Sequence, residues 1–292
     1  MPEPFCARDS FVNQICSTEP SSKSTKDAAT EALTLLSAED PPPFQIYNKE
    51  GKANVLLVAD HASAFIPDSL GQLGLDDSVL EQHVAWDIGS DQLVKNLADL
   101  LDAPAIMTHF SRLIIDPNRQ LDDPSAFMEI SDGIAIPGNL DLSEEEKTAR
   151  ITTFFKPYHN AIEAHIKSLD DQGIVPAFIS IHTCTPVYNQ IIRPWHMGVM
   201  WDTDPRLAIP MMEKLRQVEG LCLGDNEPYS GKHVHDFTID HHPEPAGLPH
   251  VGIEVRQDLV GDDAGARKWA GILADSLKDV LADAELYQKL ST

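Results

Sequence analysis

Apolar positions along this chain follow two rhythms. A continuous β-branched and aliphatic run at Val55–Val58, and largely apolar runs at Ala177–Ile181 and Val251–Val255, predict strands buried on both faces, as in a mostly parallel sheet. Between them the apolar residues recur at helical spacing. One such stretch runs from about Gly89 to Leu101, with Leu93, Val94, Leu97, Leu100 and Leu101 on one face. A second opens on the capping box Ser143-x-x-Glu146 and carries Ile151, Phe154, Phe155, Tyr158, Ile162 and Leu169, with a kink expected at Pro157. Arg206–Val218 and a closing helix from Gly265 to about Lys289, with Trp269, Ile272, Leu273, Leu277, Val280 and Leu281 inward, complete the helical set. Shorter strands are expected at Ala105–Phe110, Leu113–Asp116 and Met197–Trp201. Strands alternating with helices, without internal repeats, predict an α/β fold with a largely parallel sheet.

Two stretches break the rhythm. Residues 117–140, with Pro117, Pro124, Gly133, Pro137 and Gly138, read as a long irregular segment of the kind that more often serves function than idles. Residues 1–43, rich in Ser, Thr, Pro and acids and ending in Glu39-Asp40-Pro41-Pro42-Pro43, read as a disordered tail with at most a short helix at Ala28–Leu36. A single α/β domain is then expected over 44–292.

Charge narrows the partners. Acidic residues outnumber basic ones 46 to 22, a formal charge of −24. That excludes nucleic acid and anionic membrane surfaces as partners, and any anionic ligand needs local arginines. No run approaches the roughly 18 apolar residues of a membrane span, and the start lacks the basic-then-apolar pattern of a secretory signal. The four cysteines, Cys6, Cys16, Cys184 and Cys222, are scattered without a C-x-x-C. The expectation is a cytoplasmic protein with free thiols. The oligomeric state is not readable from the sequence.

Chemistry sits on the three buried runs. The first stops at Asp60-His61, the second at His182, and the third carries Glu254. Carboxyl ends of parallel strands are where α/β sheets bind ligands. Two histidines need a third ligand to hold zinc with a position left for water. Asp60 on a strand faces away from His61, whereas Asp87, just before a helix, can reach back over the strand ends or serve that helix as its N-terminal acid. Arg112 and Asn118-Arg119 suit carboxylate clamps, or structural ion pairs with the surplus acids. Glu254 is a buried carboxylate that is either paired with Arg256 on the same face or a general base of raised pKa. His165 reads as a packed or surface residue. The His233, His235, His241, His242 and His250 stretch is interrupted by Pro243, Pro245, Gly247 and Pro249 and reads as a surface loop more than a metal site.

Taken in order, Asp60-His61-Ala62-Ser63 with Ile66-Pro67, Ala85-Trp86-Asp87-Ile88-Gly89, Ser111–Arg119, Ser180–Pro186 with Arg193-Pro194-Trp195, Gly224–Ser230 and Ile253–Leu259 resemble the N-formylglutamate amidohydrolase family over about residues 54 to 281. That family is itself similar to zinc carboxypeptidases and aspartoacylases. The resemblance implies a three-layer, zinc-exopeptidase-like α/β fold with a mixed, mostly parallel sheet and helices on both faces. It implies one Zn2+ on His61, Asp87 and His182, with Glu254 and Arg112 catalytic and Asn118, Arg119, Arg193 and Tyr229 holding a small anionic N-acyl amino acid. The implied reaction is hydrolysis of N-formylglutamate to formate and glutamate. The alternatives are another acyl-amino acid or short peptide as substrate, a non-catalytic binding protein, or a Cys184 nucleophile. The departure from the pattern is Ala64, standing three residues after His61 where those enzymes have Glu, which makes Asp87 or Asp60 the candidate third ligand.

Overall fold

Seven strands build the central sheet of the computed structural model, which describes residues 33–232 and 236–290. They are β1 (Phe44–Tyr47), β2 (Val55–Ala59), β3 (Ala105–Thr108), β4 (Ala177–Cys184), β5 (Met197–Met200), β6 (Leu223–Asp225) and β7 (His250–Arg256). Their spatial order is β1-β3-β2-β4-β7-β5-β6. β3, β2, β4 and β7 run parallel, β1 pairs antiparallel with β3, and β5 pairs antiparallel with β7 but parallel with β6. The longer helices are α1 (Ser90–Leu101), α2 (Glu144–Arg150), α3 (Lys156–Asp170), α4 (Pro205–Leu215) and α5 (Asp263–Leu281). None of the described helices is long and apolar enough to cross a membrane.

The period-two alternation of strands sorts the core. Val55, Leu57, Ala59, Ile179, Ile181, Val251, Ile253 and Val255 face α1, α4 and α5. Leu56, Val58, Ile106 and Phe178 point the other way, onto Tyr158 and Ile162 of α3. The result is the expected three-layer α/β arrangement, with the central strands buried on both faces. From β2 the chain passes through α1 to β3 on one side, and later returns to β4 on the other. The carboxyl ends of β2 and β4 therefore flank a topological switch point, where such sheets open a crevice.

Several elements differ from their expected form. Leu113–Asp116 is a buried turn and not a strand, because side chains satisfy its backbone: Asn139 Nδ2 donates to Leu113 O at 2.9 Å and Arg150 Nη1 to Ile114 O at 2.9 Å. The helix expected to kink at Pro157 is α2 and α3 joined by a π-helical turn at Ile151–Phe155, with Pro157 in the first turn of α3 where a missing N–H is tolerated. Leu100 is exposed on α1, and α5 ends at Leu281, after which Asp283 caps a separate short turn. Of the expected 1–43 tail, residues 1–32 lie outside the described residues, as does most of the short helix proposed there. Residues 33–36 are not helical, and Leu35 packs into a cluster with Ile66, Leu73 and Phe154 while its carbonyl accepts from Ser69 Oγ at 2.6 Å. Packing against the domain thus begins ahead of residue 43.

The irregular segment 117–140 owes its shape to one buried cation. Arg150, 3% exposed, donates to the carbonyls of Ile114 and Gly138 and to Asn139 Oδ1 at 2.6 Å, while Asn139 in turn donates to Met128 O. Burial pulls its pKa down to about 10 despite Glu146. Arg150→Met keeps the bulk but leaves these acceptors without a donor, so unfolding by urea should show a loss of more than about 2 kcal/mol. An unchanged midpoint would mean that water replaces the guanidinium.

Candidate active site

Strand parity decides which chemical groups meet. Asp60, directly after β2, keeps the side of Leu56 and Val58, so it points toward α3 and accepts from Tyr158 OH at 2.8 Å. His182 shares that face of β4 with Phe178 and Ser180, and Glu254 lies directly opposite His182 on the neighbouring β7. His61, past the end of β2, is free of the alternation. Its carbonyl accepts from Asp87 N at 2.9 Å, which folds the 85–89 segment back over the strand ends. Gly89 lets the chain turn there into α1: it has φ +83°, and a Cβ would come within 2.3 Å of the Val260 carbonyl oxygen.

His61, Asp87 and His182 consequently offer ligand atoms within 4.8 Å of one another, all three residues buried. Asp87 Oδ2 lies 3.4 Å from His61 Nδ1 and 3.2 Å from His182 Nδ1, and it accepts from Thr183 N at 3.2 Å. The far sides of both rings are occupied. His61 Nε2 is 2.8 Å from Asp116 Oδ1, and His182 Nε2 is 3.1 Å from Ser180 Oγ and 3.3 Å from Asp60 Oδ2. Each Nε2 thus has a carboxylate behind it and both Nδ1 atoms converge on Asp87, where a neutral ring protonated on Nε2 would offer its lone pair to a cation. His61 Nδ1 is a buried atom without a hydrogen-bond partner. Two imidazole lone pairs and a carboxylate, each ring backed by a carboxylate, are a donor set suited to a catalytic zinc.

Charge makes the same point. Asp60, Asp87 and Asp116 are all buried, and Arg112 is the guanidinium among them, at 3.3 Å from Asp87 Oδ1 and 2.8 Å from Asp116 Oδ2. Burial opposes ionisation of the aspartates, but His182 holds Asp60 down at about 2, and His61 with Arg112 hold Asp87 and Asp116 below their usual range. Two negative charges remain unbalanced. In the absence of a metal, the histidines take them up: burial and Arg112 push His61 toward neutrality, but Asp116 and Asp87 win and its pKa is raised. His182 is raised well above its ordinary value against burial by Asp60 and Asp87.

The remaining expected residues are distributed around a cavity of about 480 Å3. His61, Asp87, Arg112, Asn118, Arg119, His182, Tyr229 and Glu254 all line it; Arg193 does not. Glu254 Oε2 is buried without a partner, and burial pushes the carboxyl up to about 7. The alternative pairing with Arg256 does not form, since Arg256 binds Asp258 at 2.7 Å. Asn118 Oδ1 accepts from Phe237 N at 3.0 Å and Thr238 N at 2.9 Å, which fixes the amide. Arg119 pairs with Asp236 at 2.7 Å. Arg193 sits behind the cavity wall between the rings of Tyr188 and Tyr229, 4.9 and 4.7 Å away, and donates to Tyr229 OH at 2.8 Å. Burial, and after it the Glu254 carboxylate, push the Cys184 thiol up, which does not favour it as nucleophile. Sequence reasoning gave no role to Asp116 or Asp236. Asp116 was findable, standing four residues after Arg112 in the same motif, whereas Asp236 carries no local signal.

The N-formylglutamate amidohydrolase family model matches residues 53–260. No curated protein matches the chain. A gene product of Agrobacterium tumefaciens of known structure is 33% identical with a TM-score of 0.82, covering 86% of this chain and 100% of its own. An N-formylglutamate amidohydrolase from Ralstonia eutropha JMP134 has a TM-score of 0.62 at 18% identity, covering 83% of this chain and 98% of its own. The likeness to an aspartoacylase family protein from Mesorhizobium loti, TM-score 0.30 at 14% identity over 80% of this chain and 68% of that one, adds no argument.

The charge balance predicts a proton-for-metal exchange. Zinc added near pH 7 to protein stripped of metal should displace about one to two protons per ion from His61 and His182. Calorimetric titration in buffers of different ionisation enthalpy measures that number, and a value of zero would count against these histidines as the ligands.

Proposed function

The chain belongs to the N-formylglutamate amidohydrolase family, and from that premise we propose that it is a zinc-dependent hydrolase of the amide bond in a small N-acyl amino acid, N-formylglutamate foremost. One observation carries the proposal: a buried, unpartnered Glu254 carboxylate shares a cavity with His61, Asp87 and His182.

His61, Asp87 and His182 would hold the zinc. Bound there, the ion supplies Lewis-acid polarisation of the scissile carbonyl and acidification of the attacking water. Glu254, with its carboxyl at about 7, accepts the water proton and passes it to the departing amine. A base of that pKa is near its best balance of availability and strength at neutral pH. Arg112, kept cationic by Asp87 and Asp116, lines the cavity and offers a fixed positive charge to the developing oxyanion. Arg119 receives a substrate carboxylate, with the orientation of Asn118 fixed by the backbone of 237–238. Arg193 acts one step back, holding the Tyr229 hydroxyl at the wall. In a chain of net charge −24, these guanidinium groups supply the local attraction that an anionic substrate needs.

A second reading within the same chemistry follows from the size of the cavity. About 480 Å3, with Met128, Tyr188, Met200 and Pro228 among its walls, has room for an acyl group larger than formyl. A panel of N-acyl glutamates and other N-acyl amino acids, read as kcat/KM, decides between the two. Release of formate from N-formylglutamate as the fastest reaction supports the first reading.

Glu254→Gln separates the catalyst from its scaffold. Turnover should fall by roughly 100-fold or more while zinc content and thermal stability stay near those of the parent. Loss of zinc would make Glu254 a ligand, and retained turnover would remove it from the mechanism. With the parent enzyme, kcat/KM should decline as pH falls below about 7, because protonated Glu254 accepts no proton. Arg119→Ala should raise KM far more than it lowers kcat, and an unchanged KM would assign Arg119 to its ion pair with Asp236.

A further inference from the structure

We propose that Glu163, His241 and His242 form a second zinc site, outside the active-site cavity. One ligand atom from each lies within 4.8 Å of the others. None of the three lines the active-site cavity; all three line a separate one of about 350 Å3. Glu163 projects from α3, and the two histidines from the short helical turn Thr238–His241 and the residue after it.

The tautomer of His242 is set from behind. His159 Nε2 faces the Pro117 carbonyl oxygen at 2.9 Å and so carries the proton. His159 Nδ1 is then the acceptor, and His242 Nε2, 2.9 Å away, is the donor. The His242 proton is thereby committed to Nε2, and Nδ1 keeps its lone pair. This is the arrangement in which a second residue orients a metal-binding imidazole. His241 Nε2 lies 3.2 Å from Glu163 Oε1, close enough for one cation to take both. Two imidazoles and a carboxylate open to a cavity match the ligand preferences of Zn2+. The same cavity is lined by Lys167 and Lys289, each ion-paired to an aspartate, Asp171 and Asp170, at 2.8 and 2.6 Å. An exposed His–Glu ion pair alone would need neither His242 nor the relay behind it, and such pairs contribute little.

The location gives the ion a purpose. The segment from 236 to 242 reaches the active site at several points: Asp236 pairs with Arg119, the N–H groups of Phe237 and Thr238 bind Asn118 Oδ1, and Thr238 Oγ1 donates to Asp60 Oδ1 at 2.8 Å. Zinc bridging its far end to α3 would pin a strap whose near end orients Asn118, Arg119 and Asp60.

The test is zinc content after equilibrium dialysis of the full chain, compared among variants. The parent should hold about two zinc ions per chain, and His241→Ala and Glu163→Gln about one each. The His61→Ala/His182→Ala double variant should hold about one, which His241→Ala added to it should remove. His241 is exposed, so its loss should not unfold the protein, and Glu163→Gln checks the same site through a different element. A parent with one zinc that His241→Ala leaves in place would overturn the second site. If the His61/His182 variant keeps all the zinc while His241→Ala loses it, the second site stands and the active-site assignment above fails instead.

Discussion

The structure turns on an imbalance of buried charge at the carboxyl edge of the sheet. Three aspartates, Asp60, Asp87 and Asp116, are withdrawn from water around the guanidinium of Arg112. Buried carboxylates persist only when compensated, and here the compensation is arranged in tiers. Asp60 takes hydroxyls from Tyr158 and Thr238, Asp116 takes Arg112 and the Asn118 N–H, and Asp87 takes Arg112 and the Thr183 N–H. What these donors leave unbalanced falls on His61 and His182. The same two rings can carry protons or face a cation, and their Nε2 partners fix them in place for either.

Everything nearby serves to hold that cluster in register. Parallel pairing of β4 with β7 sets Glu254 beside His182, and the β2–β4 switch point opens the space above them. The loop that supplies Arg112, Asp116, Asn118 and Arg119 has no regular structure of its own, and Arg150 and Asn139 take over the hydrogen bonding a strand would have provided. On the far side, segment 236–242 bonds to Arg119, Asn118 and Asp60 in turn. Strands carry His182 and Glu254, with His61 just past the end of β2 and Asp87 folded back ahead of α1, while hydrogen-bonded loops carry the groups proposed to meet the substrate. That division suits an enzyme whose chemistry is fixed and whose substrate choice is adjustable.

The sequence by itself determined the sheet and its chemical edge. The Val55–Val58 run is apolar at every position and Val251–Val255 at all but Gly252 and Glu254, as a strand covered on both faces requires, and His61 and His182 were legible because each stands where such a run meets its end. Motif order was enough to give the family. What the tertiary structure decided was pairing. Whether Glu254 sits against Arg256 or beside His182 depends on the register between β7 and β4, which no local pattern encodes. Arg193 reads as a substrate clamp in the sequence, but it lies between the rings of Tyr188 and Tyr229 and donates to the Tyr229 hydroxyl. Leu113–Asp116 has strand composition and becomes a turn because Arg150, 36 residues on from Ile114, claims its backbone. Local propensity is a matter of neighbours in sequence; compensation of a buried charge or carbonyl is a matter of neighbours in space, and only the folded chain brings those together.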